Sequence, residues 1–146
     1  MKINFFSLPG PLTNMASFAQ FLKIGNLTDA EIQNLNEHCY RGYVVKDGHY
    51  SFLGKEAKDY ARTSFHLRGI KYSIRRHQLA LYLKLKQSGE EMSWSEEDEA
   101  SHLCHVKWCY NPAHIVLESR ELNQQRNGCL AERKCRGHGS AADCIL

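Results

Sequence analysis

Most of the cysteines in this 146-residue chain fall in two short runs that also contain histidine. The first run contains Cys104, Cys109 and His114, with four residues between successive members. The second run supplies four side chains within sixteen residues: Cys129, Cys135, His138 and Cys144. Thiolates and imidazoles at such spacings let a loop surround a tetrahedral ion, so each run predicts a zinc site.

Cys39 is the one cysteine outside both runs. We expect it to complete the first site as a Cys3His set, with the adjacent His38 as the alternative fourth ligand. Two sites with four protein ligands each are closed, as structural zinc centres are, and leave no open position for a substrate. His102 would then not be needed by the metal and would be free to take part in chemistry.

Three disulfides in a secreted domain are the alternative use of six cysteines. The N-terminal residues argue against secretion, because their apolar stretch is too short for a signal peptide. Histidines interspersed at ligand spacing also favour metal. We therefore expect reduced cysteines in an intracellular protein, nuclear or cytoplasmic. No apolar run reaches the roughly 18 residues that a membrane span needs, so no membrane partner is expected.

Charge is distributed unevenly along the chain, although the net charge is only +3. Residues 41–89 contain eleven lysines and arginines against three acids, whereas residues 90–101 contain six acids and no base. A local basic excess of this size indicates a polyanionic partner. The length is that of a single domain with a modest core, which bound zinc would help to stabilise.

Two segments of the basic region, 62–68 and 70–75, alternate apolar residues with polar or basic ones. Successive side chains of a strand point to opposite faces, so these segments predict a ribbon with one apolar and one basic face. Such a ribbon fits the major groove of DNA. An ordinary half-exposed sheet with a wet outer face is the alternative. The candidate DNA-contacting residues are Arg62, His66, Arg68, Lys71, Ser73, Arg75 and Arg76.

Local signals predict the elements around this ribbon. Apolar spacing over residues 15–22 predicts a short first helix, and a capping box from Thr28 to Glu31 predicts a second that ends near Cys39. Asp-Gly between two β-prone runs predicts a hairpin over residues 43–52. Residues 75–87 favour a helix, although the alternation of leucines at 81, 83 and 85 could also form a strand.

The C-terminal third predicts a strand, the first metal loop, a second strand and a helix that Ser119 caps. This order would bring His102 and Asn123 to the same end of the unit. A neutral imidazole can take a proton from water, and an amide oxygen can hold a hydrated Mg2+ ion, which together suit phosphodiester hydrolysis. A purely structural histidine is the alternative interpretation of His102.

The order of these residues resembles that of the His-Cys box homing endonucleases, which are ββα-metal or His-Me finger nucleases. The resemblance covers roughly residues 100–144 and rests on Ala100 to His105, Cys109, Asn111-Pro112, His114, Glu118-Ser119, Asn123, Arg126-Asn127 and Cys129. It implies that His102 is the general base, that Asn123 binds catalytic Mg2+ and that both zinc ions are structural. It further implies a homodimer that binds double-stranded DNA through antiparallel sheets. It also implies an arginine near the scissile phosphate, and the basic residues that are candidates for this position are Arg62, Arg68 and Lys71.

These patterns predict an α+β fold, a small zinc-stabilised domain with antiparallel β-ribbons, and the resemblance implies that it contains a ββα-metal catalytic unit. We expect one endonuclease domain over residues 1–146, with a helical part (1–40), a basic ribbon and helix (41–89), a catalytic unit (100–128) and a second zinc site with a tail (129–146). The predicted activity is Mg2+-dependent, site-specific cleavage of double-stranded DNA. A non-cleaving, zinc-containing DNA-binding protein is the alternative, and a zinc-ribbon adaptor for protein partners is a further one.

Overall fold

The computed structural model describes residues 15–89 and 93–146, which contain four α-helices, one short 3-10 helix (Pro112–His114) and three two-stranded antiparallel sheets. The helices are α1 (Phe18–Leu22), α2 (Asp29–Tyr40), α3 (Arg76–Gln87) and α4 (Arg120–Glu132). The strands are β1 (Tyr43–Lys46), β2 (His49–Phe52), β3 (Arg62–Leu67), β4 (Ile70–Arg75), β5 (Asp98–His102) and β6 (Ile115–Ser119). This arrangement confirms the predicted α+β fold with antiparallel hairpins. Residues 1–14 of the predicted helical part lie outside the described residues.

The first two helices begin where side chains can satisfy their free backbone N–H groups. Thr28 accepts from the backbone N–H of Glu31 at 3.1 Å, and Glu31 accepts from the backbone N–H of Thr28 at 2.9 Å. This reciprocal pair is the capping box that the sequence predicts at the start of α2. Ser17 and Gln20 form the same arrangement at the start of α1.

The ribbon β3–β4 has the two faces that the alternation predicts. Its register pairs Phe65 with Tyr72 and Thr63 with Ile74, and all four side chains are buried. The turn between the strands uses positive φ at Arg68 (51°) and Gly69 (80°), a geometry that glycine adopts at little cost. Helices α1, α2 and α3 cover the apolar face and form the core with it.

Residues 76–87 form helix α3 rather than the alternative strand. Leu79, Tyr82 and Leu83 are buried as expected, and the two residues between them are buried as well. Because other elements enclose this helix on most sides, its leucines are not confined to one face. α3 contacts α2, β4, β5 and β6, so it joins the ribbon to the C-terminal unit.

The C-terminal unit has the predicted order of strand, loop, strand and helix. Strands β5 and β6 pair antiparallel from Asp98 opposite Ser119 to His102 opposite Ile115. Ser119 caps α4 by accepting from the backbone N–H of Leu122 at 3.2 Å. The helix is longer than the expected segment ending near residue 127, because it continues to Glu132 and stops where Arg133 adopts φ of 56°. None of the helices in the described part of the chain is long and apolar enough to cross a membrane.

Candidate active site and metal centres

Four side chains from two separate parts of the chain converge on the first metal loop. They are His49, Cys104, Cys109 and His114, and their ligand atoms all lie within 4.8 Å of one another. Three of them come from the loop between β5 and β6, as the sequence predicts. His49, the fourth, is the first residue of β2. A Cys2His2 set of this kind matches the tetrahedral donor preference of Zn2+.

Cys39, the expected fourth ligand, is not part of this cluster. It lies on the inner face of α2, fully buried, with its thiol 3.7 Å from the backbone oxygen of Arg76. Burial raises the pKa of this thiol to about 12, so Cys39 stays protonated and behaves as a small apolar side chain. His49 therefore takes the place in the cluster that was expected for Cys39. The alternative residue, His38, lies on the same helix as Cys39 and is not in the cluster either.

The hairpin β1–β2 docks onto the metal loop through two hydrogen bonds to its backbone oxygens. Gly48 has φ of 82°, and its carbonyl accepts from the Asn111 side chain at 2.7 Å. Two residues after Gly48, the backbone oxygen of Tyr50 accepts from the backbone N–H of Tyr110 at 3.2 Å. These contacts hold His49, which lies between them, against Cys109 and His114.

The chemistry of the first cluster fits a metal ion. Nδ1 of His49 is buried and has no hydrogen-bond partner among the described residues, an arrangement that would be costly without a ligand. A hydrogen bond between the Cys104 and Cys109 sulfur atoms lowers the pKa of Cys109 and raises that of Cys104, so the two sulfur atoms lie close enough to bind one ion together. All six cysteines are free, so the structure does not support the disulfide alternative.

The second cluster contains the four side chains that the sequence predicts, Cys129, Cys135, His138 and Cys144. Nε2 of His138 lies 3.5 Å from the sulfur atoms of both Cys129 and Cys144. The backbone N–H of Cys144 donates to the Cys135 sulfur at 3.4 Å. Cys129 belongs to α4 and the other three to the segment after it, so a bound ion would fix the C-terminal residues to that helix.

A buried ion pair connects this second cluster to the strand β6. Arg126 donates to both carboxylate oxygens of Glu118, at 2.6 and 2.8 Å, and also to the Cys144 sulfur at 3.4 Å. The two charged side chains are only 1% and 6% exposed. Burial opposes ionisation of Glu118, but the hydrogen bonds from Arg126 contribute to lowering its pKa overall. The pair therefore holds α4 against β6, one helical turn after Asn123.

His102 ends β5 and is held in one orientation. Its Nε2 atom lies 2.8 Å from the backbone oxygen of Cys109, and because a carbonyl can only accept, Nε2 carries the proton. Nδ1 is then the nitrogen that can accept a proton. The ring packs against His77 at 4.4 Å between centroids. Burial lowers the pKa of His102, so the imidazole is neutral at pH 7.

Asn123, in the second turn of α4, is fixed on both sides of its amide. Its Oδ1 atom accepts from the Ser101 hydroxyl at 2.7 Å, and its Nδ2 group donates to Glu99 at 2.6 Å. Ser101 directly precedes His102 on β5, so this hydrogen bond joins Asn123 to the strand that carries His102. That His102 and Asn123 act in one catalytic site stays a prediction. A cavity of about 390 Å3 opens beside Asn123, and its wall includes Glu99, His77 and Arg75.

Five of the candidate DNA-contacting residues share the solvent face of the ribbon. The register pairs Arg62 with Arg75 and His66 with Lys71, and Ser73 lies between Lys71 and Arg75 on the same face. Arg75 stacks on the ring of Tyr60 at 4.1 Å, where the ribbon meets the cavity beside Asn123.

Two candidate DNA-contacting residues do not lie on this face. Arg76 is only 6% exposed and donates to the backbone oxygens of His38 and Cys39, so it fixes the start of α3 to the end of α2. Arg68 lies in the hairpin turn, and its guanidinium pairs with Glu31 of α2 at 2.9 Å. Their positions explain the difference, since Arg76 belongs to a helix and Arg68 to a turn, where strand alternation does not apply.

Several residues of these sites were not singled out from the sequence. His49 follows an Asp-Gly turn, but nothing in the spacing indicates that the turn docks onto a loop more than fifty residues later. His77 directly follows Arg76 and looks like an ordinary first-turn helix residue. Glu99 belongs to a run of acidic residues, a pattern that is typical of an exposed, solvated surface. Tertiary packing brings His49 to the first metal loop, His77 to His102 and Glu99 to Asn123.

Comparison with known proteins identifies the chain. No curated protein matches it. Residues 36–144, which include both Cys/His clusters, match the family described as the zinc-binding loop region of homing endonuclease. This match spans well over half of the chain and agrees with the resemblance carried by the residues around His102. The chain therefore belongs to the His-Cys box homing endonucleases, a nuclease family whose activity implies binding to DNA.

Proposed function

We propose that this chain is a Mg2+-dependent endonuclease that cuts double-stranded DNA at specific sites and leaves 5′-phosphate and 3′-hydroxyl ends. The observation that carries the proposal is the placement of His102 on β5 and of Asn123 on α4, two elements that a hydrogen bond from Ser101 joins. One is oriented by the metal loop through Cys109, and the other is fixed to the neighbouring Ser101. Both lie next to a basic ribbon of the shape that fits a major groove.

His102 is the proposed general base. With its Nε2 proton held by the Cys109 oxygen, Nδ1 can take the proton of a water that attacks the phosphorus. His77 packs against one side of the ring, and Tyr60 packs on His77 at 4.9 Å, so the imidazole is restricted by a stack of rings. Restricting the base in this way lowers the entropic cost of reaching the attacking water.

Asn123 is the proposed protein ligand of Mg2+. Its carbonyl oxygen is a hard ligand of the kind that this ion prefers, and Mg2+ usually keeps several waters, so one protein oxygen together with DNA oxygens is a sufficient set. When bound, the ion would stabilise the charge on the phosphate and on the leaving oxygen. The two Cys/His clusters are the proposed structural zinc sites, with His49, Cys104, Cys109 and His114 at one and Cys129, Cys135, His138 and Cys144 at the other.

Arg75 is the best-placed arginine for the scissile phosphate. It lines the same cavity as Asn123 and His77, and its position on Tyr60 directs the guanidinium to the junction of ribbon and cavity. Of the candidates expected from the sequence, Arg68 is paired with Glu31, whereas Arg62 and Lys71 lie further along the ribbon and are proposed to contact the DNA backbone or bases. We propose that two copies of the domain, residues 1–146, bind one site as a homodimer.

The test is cleavage of a randomised plasmid library by zinc-loaded protein with and without Mg2+. We expect linear products only with Mg2+, with ends that a ligase joins without prior phosphorylation. Sequencing of the joined ends should return one enriched site. A protein that retains zinc and enriches a site in binding selections, but cuts nothing with Mg2+ or Mn2+, would instead be the non-cleaving DNA-binding alternative.

A further inference from the structure

Glu99 is an acidic side chain beside the proposed Mg2+ ligand that the proposed reaction does not itself require. It lies on β5, three residues before His102, and each of its carboxylate oxygens has a separate partner. Oε1 accepts from Nε of Arg120 at 2.7 Å, and Oε2 accepts from Nδ2 of Asn123 at 2.6 Å. Arg120 and Asn123 are one turn apart on α4, so the carboxylate spans the first turn of that helix.

This contact decides which end of the Asn123 amide faces which neighbour. A carboxylate paired with a guanidinium can only accept hydrogen bonds, so the atom of Asn123 that faces Glu99 must be the NH2 group. The Ser101 hydroxyl can either donate or accept, so it would tolerate both orientations of the amide. Glu99 is thus the neighbour that discriminates between the two orientations.

The orientation matters for a cation. A carbonyl oxygen has two lone pairs, so Oδ1 can accept from Ser101 and still bind a metal ion. An amide turned through 180° would present NH2, which repels a cation. We propose that Glu99, anchored by Arg120, is a positioning residue that keeps Oδ1 of Asn123 available to the divalent ion. This inference rests on the proposed function, in which Asn123 binds Mg2+.

The experiment measures Mn2+ binding rather than cleavage. Zinc-loaded protein on a short DNA duplex that it does not cut is titrated with Mn2+, and the paramagnetic resonance signal of the free ion gives the dissociation constant after subtraction of binding by the duplex alone. Glu99→Gln keeps the size of the side chain but can donate as well as accept. We expect it to raise the Mn2+ dissociation constant on the order of 10-fold, as loss of a residue that orients a ligand usually does.

Glu97→Gln is the matched control. It removes the same charge two residues earlier, from an exposed side chain, and should leave the Mn2+ dissociation constant unchanged. Arg120→Gln removes only the anchor of Glu99 and should weaken binding in the same direction by a smaller factor. It also carries the test if Glu99→Gln fails to retain zinc.

A double-variant cycle separates positioning from direct binding. If Glu99 acts through Asn123, adding Glu99→Gln to Asn123→Ala should produce no further loss of Mn2+ affinity. Equal losses in both backgrounds would make Glu99 an independent ligand and overturn the proposal, as would equal affinities of Glu99→Gln and Glu97→Gln. Equal Mn2+ affinities of wild-type protein and Asn123→Ala would overturn it as well. Cleavage that requires His102 but is indifferent to Glu99 would leave the proposed function standing and reject only this inference.

Discussion

At the scale of single residues, the sequence indicates the metal ligands that lie close together in the chain. Seven of the eight cluster residues follow from spacing within two short runs. The eighth does not, because its position depends on how the hairpin β1–β2 packs on the metal loop. Cys39 is misassigned for the same reason, since its burial against Arg76 is a property of the α2–α3 contact and not of the local sequence.

The exchange of Cys39 for His49 gives a prediction about zinc content. His49→Ala should lower the zinc bound per chain from two ions to one, or weaken retention of the first ion in chelator, because one of four ligands is lost. Cys39→Ala should retain both ions, since its thiol lies outside the cluster. Native mass spectrometry of the two variants compares them directly. Loss of zinc from the Cys39 variant and not from the His49 variant would restore the original assignment.

At the scale of elements, alternation predicts the ribbon faces well because strand geometry is local. It places Arg62, His66, Lys71, Ser73 and Arg75 on one face, as the register shows. Alternation does not apply to the turn that contains Arg68 or to the helix that contains Arg76, and neither side chain lies on the basic face. The packing of α4 against β6 through Arg126 and Glu118 is also not visible in the sequence, because neither residue belongs to an apolar pattern.

Lys71 and Arg68 form a matched pair for testing the basic face. Lys71→Ala should weaken DNA binding and reduce the slope of log affinity against log salt by about one unit if Lys71 meets a phosphate. Arg68→Ala should leave that slope nearly unchanged, because its charge is already paired with Glu31 on the helix side. Fluorescence anisotropy at several salt concentrations gives both slopes. A larger change in slope for Arg68→Ala than for Lys71→Ala would show that the DNA does not bind the basic face of the ribbon.

The buried pair of Arg126 and Glu118 predicts a large effect on stability. Arg126→Met would leave an uncompensated carboxylate in a site where both side chains are buried, at a cost of about 3–5 kcal/mol in the free energy of unfolding. Glu56→Gln, which breaks the exposed pair with Lys46, should cost no more than about 1 kcal/mol. Denaturant unfolding of zinc-loaded protein measures both. Similar small losses in the two variants would show that the pair does not hold α4 in place.

At the scale of the whole molecule, the fold class and the order of elements follow from the sequence, whereas the docking of the three hairpins on one another does not. Each hairpin has only two strands, which are marginal alone in water. Helix α3 and the two metal clusters supply the long-range contacts. Zinc held by the two clusters would therefore contribute to the folding of the molecule, because metal binding energy contributes to folding energy.

The proposed homodimer predicts the mass and the symmetry of the DNA complex. Light scattering of the protein on its selected site should give two copies of the 16.8 kDa chain. Because each copy presents one ribbon, the selected site should be palindromic or nearly so. A single copy on an asymmetric site would contradict this arrangement while leaving the catalytic residues unaffected.

The central claim is that His102 is the general base of a DNA-cutting enzyme, and one paired measurement tests it. Wild-type, His102→Ala and the control His38→Ala, all zinc-loaded, are compared for cleavage of the selected site and for binding to it without divalent metal. We predict that His102→Ala cuts on the order of 100-fold or more slowly, as expected for loss of a general base, and binds with nearly unchanged affinity, whereas His38→Ala resembles wild type. Wild-type rates of cleavage by His102→Ala, with binding intact, would show that the active site lies elsewhere.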